Sequence, residues 1–285
     1  MTDDALTTFT ALRPRLFGIA YRMLGSVGEA EDIVQETWIR WQGTDRSVVR
    51  EASAFLATTT TRLAITLAQS ARARHETYVG PWLPEPVDTS ADPALGAERG
   101  EALSIAVLML LEKLTPTERA AYILREAFDY EYAQISEIVQ VSEPTARQLV
   151  SRARKHLLAE RRQPVSAPEQ QRLLAAFVAA AQTGDLARLE QLLAADVVSY
   201  TDGGGLARAS KFPVHGRERV AKFHHAFAPR FWPGVTVEFA EANGQPSAVL
   251  SQNGARFAVL SITSNSEGID QILWMMNPEK LARLG

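Results

Sequence analysis

The stretch Tyr132–Arg162, YAQISEIVQVSEPTARQLVSRARKHLLAERR, decides how the chain is read. Tyr132 to Val139 and Ser142 to Arg162 read as two helices about a short turn, the layout of a helix-turn-helix. Ser142 suits an N-cap, and Pro144 suits the first turn, where a missing N–H costs nothing. Ala146, Leu149, Val150, Ala153 and Leu157 fall at i, i+3, i+4, i+7 and i+11, the spacing of a buried helix face. Thr145, Arg147, Gln148, Ser151, Arg152, Arg154 and Lys155 are left facing outward. Between Thr145 and Arg162 there are six basic residues and one acid, Glu160, in a chain of net charge -3. Positive charge gathered on one exposed helix face is what major-groove docking requires, although a surface helix can also be basic by chance. Arg and Gln read base edges through paired hydrogen bonds, while Lys and Ser position on phosphates.

Upstream, Leu16, Ile19, Ala20, Met23 and Leu24 predict a helix with one buried face, and Ile33, Val34, Thr37, Trp38 and Trp41 predict a second. Glu29, Asp32 and Glu36 line the far side of the second helix, either as a solvated stripe or as a surface for a basic partner. Phe55 to Arg74 is a further helical stretch carrying Arg62, Thr66, Gln69, Arg72 and Arg74 with few acids, a surface suited to phosphates and unpaired bases. Residues 76 to 110 hold 6 acidic and 1 basic side chains and include GPWLPEPVDTSADP, a linker composition. A second break is RRQPVSAP, Arg161 to Pro168.

Beyond it the period changes. Helices over Gln170–Gln182 and Leu186–Ala195 flank Thr183-Gly184-Asp185, where Gly ends one helix and Asp starts the next. Val235, Val237 and Phe239 alternate, Phe257 to Ile262 alternate on two faces, and Ile269 to Met276 reads as a strand buried on both faces. Helices followed by a mostly antiparallel sheet make an α+β domain.

LFGIAYRMLGSVGEAEDIVQETWIRW (16–41) resembles region 2 of the extracytoplasmic-function (ECF) sigma factors of bacterial RNA polymerase, and LTPTERAAYILREAFDYEYAQISEIVQVSEPTARQLVSRARKHL (114–157) resembles their region 4. The run AAFVAAAQTGDLARLEQLLAADVVSYTDGGG (175–205) resembles the start of a SnoaL-like domain of the NTF2-like cone fold. Trp82-Leu83-Pro84-Glu85-Pro86, Asp202-Gly203-Gly204-Gly205 and Asn277-Pro278-Glu279-Lys280-Leu281 are similar to signatures of the sigma factors that carry such a domain. The resemblance implies two all-α sigma domains, at 1–76 and 101–163, separated by a linker at 77–100 and followed by a SnoaL-like domain at 168–285. It also implies that Asp32, Gln35 and Glu36 dock on the polymerase core, that Arg62, Thr66, Gln69, Arg72 and Arg74 serve the minus-10 element, and that Thr145 to Lys155 read the minus-35 element. Trp82 to Pro86, Asp202 to Gly205, and Asn277 with Pro278 become an interdomain regulatory contact, and the C-terminal pocket a site for a small-molecule ligand. The chain departs from the family at Leu206, where lysine is usual, near Thr66, where an acid or amide is common, and at Gln140-Val141-Ser142, which lacks the usual turn glycine. DGGG also fits a plain tight turn, the Trp82 motif a stiff spacer, and NPEKL a helix-starting tail.

Zero cysteines exclude disulfides, thiolate metal sites and a cysteine nucleophile. The longest apolar stretches, Leu103–Leu111 and Leu173–Ala181, are about half the roughly 20 residues of a membrane span, and the MTDDALTTF start has no signal-peptide pattern, so a cytoplasmic protein without membrane contact is expected. Asp202, His215, His224, His225 and Asp270 are the residues a cone-fold enzyme would draw on, but they show no catalytic spacing, and His224 and His225 cannot share a helix face. The expectation is no catalysis, no metal and no cofactor. A one-component helix-turn-helix regulator with a ligand-binding domain is the competing reading; it leaves the acidic stripe and the Arg-and-Thr helix without a use.

Overall fold

The computed structural model describes residues 2–89, 103–160 and 163–283. The chain divides into two compact units, Met1–Thr77 with Ala91–Arg161, and Tyr78–Ser90 with Arg162–Gly285.

The first unit is helical. Its elements are α1 (Thr2–Leu24), α2 (Val27–Gly43), α3 (Ala52–Glu76), α4 (Ile105–Leu111), α5 (Pro116–Glu126), α6 (Tyr132–Val139) and α7 (Glu143–Glu160). The expected faces are buried, Leu16, Ile19, Ala20, Met23 and Leu24 on α1 and Ile33, Val34, Thr37 and Trp41 on α2, except that Trp38 is half-buried. Helix α1 starts fourteen residues before Leu16 and carries Pro14 inside it. Tertiary contacts outweigh the local penalty, because the Phe9 ring packs tilted against Trp38 at 4.9 Å and the Trp41 indole N–H donates to Ala5 O at 3.2 Å. Helix α5 begins with a capping box between Thr115 and Glu118. Arginines tie α1 to the later helices: Arg119 donates to Met23 O at 2.5 Å, and Arg15 to Phe128 O at 2.9 Å.

The α6–α7 turn closes without glycine. Gln140 itself takes the left-handed conformation, φ 59° and ψ 49°, and Val141 N–H returns to Ser136 O at 3.0 Å. Ser142 Oγ then accepts the Thr145 N–H at 3.3 Å as the cap of α7.

The second unit is α+β. Helices α8 (Ala167–Thr183) and α9 (Leu186–Leu192) precede a six-stranded sheet of β1 (Leu193–Asp202), β2 (Val214–His215), β3 (Val235–Ala242), β4 (Gln245–Gln252), β5 (Ala255–Asn265) and β6 (Gly268–Met275). Helix α10 (Arg217–Phe231) lies between β2 and β3 in sequence, and α11 (Pro278–Leu281) follows β6. Strand order is β2-β1-β6-β5-β4-β3, antiparallel except for β1 with β6. Register shifts interrupt β4–β5 and β5–β6, the irregularities that bend a sheet. Gly184 caps α8 at φ 67°, and Asp185 caps α9 by accepting the Arg188 N–H. The second expected helix stops at Leu192 rather than Ala195, because Leu193 pairs with Ile269 of β6. Strand β6 is buried on both faces only from Ile272 to Met275; Asp270 and Gln271 are half-buried. Phe177, Val220, Leu250, Leu260 and Ile272 are fully enclosed between helices and sheet and form the core of this unit.

Candidate nucleic-acid interface and linker clamp

Helix α7 presents the expected outward face. Ala146, Leu149, Val150, Ala153 and Leu157 are buried, while Arg147, Gln148, Ser151, Arg152, Arg154 and Lys155 are exposed and Thr145 is half-buried. Several of the cations are already engaged within the unit. Arg147 pairs with Glu143 at 2.5 Å and lies 4.4 Å over the Tyr132 ring. Arg152 meets Glu118 of α5 at 3.2 Å, and Arg154 meets Glu126 at 2.6 Å. The arginine ends of these pairs are exposed and screened by solvent, whereas the Glu118 and Glu126 carboxylates are more covered.

On α2, Asp32 and Gln35 are exposed, and Glu36 is half-buried beside Arg40 at 2.8 Å. On α3, Thr66 and Gln69 are exposed. Arg62 is engaged: its Nε donates to Ile138 O at 3.0 Å and its Nη2 to Glu137 O at 2.8 Å. Both carbonyls belong to the last turn of α6, where a cation complements the helix dipole. The side chains of Arg72 and Arg74 lie outside the described residues.

The most tightly built polar site lies in the second unit. Residues 82–86, which the resemblance makes part of a contact with the Asp202 and Asn277 motifs and composition alone makes a stiff spacer, are mostly buried there, with Leu83, Pro84, Glu85 and Pro86 enclosed together with Val87, and Trp82 half-buried. At its centre is Asp202, fully buried at the end of β1. One carboxylate oxygen accepts the Tyr78 O–H at 2.7 Å; the other accepts the Leu83 N–H at 2.8 Å and Lys280 Nζ at 2.7 Å. Lys280 also donates to Leu83 O at 2.6 Å and lies 4.4 Å from the Trp82 ring centre. Asn277 donates to the Tyr78 oxygen at 2.7 Å and caps α11 through the Glu279 N–H, while the adjoining Pro278 is exposed. Burial and the neighbouring Asp202 carboxylate push the Tyr78 hydroxyl well above the usual phenol range, which keeps it a donor.

Gly203, Gly204 and Gly205 lead out of β1, and Gly204 meets both demands that favour glycine. Its φ is +60°, and an added Cβ would stand 2.8 Å from Asn277 Cγ and 2.9 Å from the Tyr78 oxygen. Leu206 is 60% exposed, and the ammonium at the Asp202 carboxylate comes from Lys280. Further along, Val87 exchanges hydrogen bonds with Asn243, and Thr89 bonds Glu241 at 2.8 Å, fastening the segment to the β3–β4 hairpin. Tyr78 and Lys280 are the principal residues the sequence reading left unassigned; the quoted NPEKL motif contained the second.

Of the residues a catalytic reading would use, His224 lines an aromatic cavity, and His225 lines a separate open cleft beside Gly184. His225 is turned away and bonds Gly184 O at 2.6 Å, His215 is exposed, Asp270 is held by Thr263 and Asn265, and Asp202 belongs to the clamp. Among the described residues there is no cluster of three or more metal-ligating side chains and no helix long and apolar enough to cross a membrane.

Residues 8–74 match the family Sigma-70 region 2, and residues 104–157 match Sigma-70, region 4. The chain is 35% identical to the ECF RNA polymerase sigma factor SigJ of Mycobacterium tuberculosis over 292 residues, covering 96% of this chain and 92% of that one. It is 30% identical to the probable ECF RNA polymerase sigma factor SigI of the same organism, covering 98% and 95%. The crystal structure of M. tuberculosis SigJ superposes with a TM-score of 0.78 at 32% identity, covering 97% of this chain and 98% of that one.

Proposed function

Because the chain belongs to the ECF RNA polymerase sigma factors and so directs RNA polymerase to promoters, we propose a division of labour among its elements and a regulatory role for its C-terminal unit. Asp32, Gln35 and Glu36 dock on the core enzyme. Thr145, Arg147, Gln148, Ser151, Arg152, Arg154 and Lys155 read the minus-35 duplex, the paired arginines exchanging Glu118, Glu126 and Glu143 for bases or phosphates. Arg62, Thr66, Gln69, Arg72 and Arg74 serve the minus-10 strand. Arg62 spends two of its five N–H groups on Ile138 O and Glu137 O, which sets the direction in which the guanidinium meets a nucleotide.

The C-terminal unit regulates in cis by gripping the linker. The observation that carries this reading is the buried Asp202–Lys280 pair closed on Leu83. The linker leaves α3 at Tyr78, so its hold limits how freely the helical elements on either side separate. Attachment in one chain lets modest contacts act at high effective concentration. A small molecule in the C-terminal cavity shifts that hold if it binds one state better.

The test is run-off transcription from a promoter library with core enzyme, comparing the intact chain with Lys280→Ala. Selective transcription is expected from both, with output changed by the substitution. Unchanged promoter choice and output would sink the regulatory part, and failure to associate with core would sink the assignment of α2.

A further inference from the structure

The second unit contains an aromatic cavity of about 290 Å³ between α10 and the sheet. Phe223, Phe231, Trp232 and Trp274 wall it, with Phe231 edge-on to Trp274 at 5.4 Å and to Trp232 at 5.1 Å. Two buried polar atoms in this largely apolar lining have no hydrogen-bond partner among the described residues: His224 Nε2 and Trp274 Nε1. Their side chains are only 7% and 4% exposed, and their rings are 5.9 Å apart. Buried polar groups without partners are uncommon, and a pair of them facing one cavity is what a water or a ligand oxygen would satisfy. Burial holds the His224 imidazole down at about 4, so it is neutral near pH 7 and offers no charge to an anion. The guanidinium at the cavity, Arg208, is exposed at its edge.

The cavity and the linker clamp are formed by the same strand ends. Thr201 pairs with Trp274 and Asp202 pairs with Met275. Successive strand residues point to opposite faces, so Thr201 and Trp274 border the cavity while Asp202 holds the linker. The loop after Asp202 also serves both sides. Arg208, Ala209 and Ser210 line the cavity, and a Cβ built at Gly80 or Gly205 would lie 3.8 Å from Ser210 O or 3.3 Å from Val79.

We propose that this cavity binds a neutral two-ring aromatic compound bearing a hydroxyl or carbonyl oxygen, and that filling it shifts the hold on the linker. An apolar cavity of roughly 150 Å³ accommodates benzene, so this one takes roughly twice that volume. The walls offer ring faces and edges to a flat partner. The oxygen accepts from the Trp274 indole, a donor only, and a hydroxyl also satisfies either tautomer of His224. A carboxylate would bring an uncompensated charge against a neutral imidazole. The regulatory meaning rests on the cis-acting reading of this unit; the binding itself does not.

The experiment is calorimetric titration of the full-length protein, without polymerase, with 2-naphthol, naphthalene and 2-naphthoate. Expected are 1:1 binding of 2-naphthol about tenfold tighter than naphthalene, the worth of one buried hydrogen bond, and weaker binding of 2-naphthoate. His224→Leu and, independently, Trp274→Phe should each reduce the naphthol preference while naphthalene binding persists. No binding by any probe, or equal affinity for naphthol and naphthalene, would overturn the assignment. Tightest binding by 2-naphthoate would overturn neutrality and make Arg208 the determinant. With 2-naphthol saturating, amide exchange at Leu83 should change severalfold; an unchanged Leu83 would overturn the coupling while leaving the sigma-factor assignment intact.

Discussion

Removing the ammonium from the linker clamp with Lys280→Ala should free the linker before anything else in the protein melts. Lys280 is 7% exposed and Asp202 is fully buried, so their 2.7 Å contact belongs to the class of enclosed ion pairs. Deleting one member of such a pair costs about 3–5 kcal/mol, because the other charge stays buried without compensation. Asp202 keeps the Tyr78 O–H and the Leu83 N–H, which places the cost at the lower end, about 3 kcal/mol. That corresponds to a rise of roughly a hundredfold in the fraction of molecules with the clamp open. The Leu83 N–H donates directly to Asp202, so its hydrogen exchange reports the opening. Exchange at Leu83 should accelerate by about two orders of magnitude in Lys280→Ala, with amides in the β5–β6 ladder unaffected.

A cycle with Asp202→Asn and Lys280→Met separates the pair from general damage. The double variant should recover much of the single-variant losses, since a neutral pair leaves no unpaired charge. An acceleration below about threefold, the scale of an exposed ion pair, would refute the claim that the clamp is held electrostatically. Strict additivity in the cycle would refute it as well.

Other expectations follow from local geometry. Gln140→Gly relieves a left-handed residue at φ 59° and should stabilise the helical unit by about 1 kcal/mol, measured as a higher melting temperature. Arg62→Ala removes two hydrogen bonds to the end of α6 and should destabilise that unit by about 1 kcal/mol, discounted for exposure, while also weakening minus-10 binding. His224 has its pKa depressed to about 4 by burial, so the unfolded chain binds the proton more readily below an unfolded value near 6.5. Stability should therefore fall as pH drops through 6.5 towards 4, by about 2 kcal/mol at pH 5, and His224→Leu should flatten that slope in urea titrations.

The elements whose reading needs only near neighbours were legible in the sequence. The inner face of α7 followed from its spacing, and the cap at Ser142 from a hydroxyl placed before a helix-compatible proline. Gly184 and Asp185 announced a helix end and a helix start for the same local reason. What stayed hidden depends on partners far along the chain. Tyr78 meets Asp202 across 124 residues, Lys280 meets it across 78, and Arg62 reaches Ile138 across 76. A lone Tyr beside a proline-rich linker and a lone Lys in a C-terminal helix carry no periodic signal. Their meaning arises only when β1 and β6 bring Asp202 and Asn277 to one edge. The linker illustrates the same limit from the other side. Its prolines and acids alone read as a linker or stiff spacer, yet Leu83 and Val87 are enclosed because their backbone groups find Asp202 and Asn243 as partners. Composition describes what a segment does alone, and distant partners can reverse it. In this chain the reversal rests on several distant partners at once, with the Asp202–Lys280 pair at Leu83 and with Asn243 and Glu241 at Val87 and Thr89.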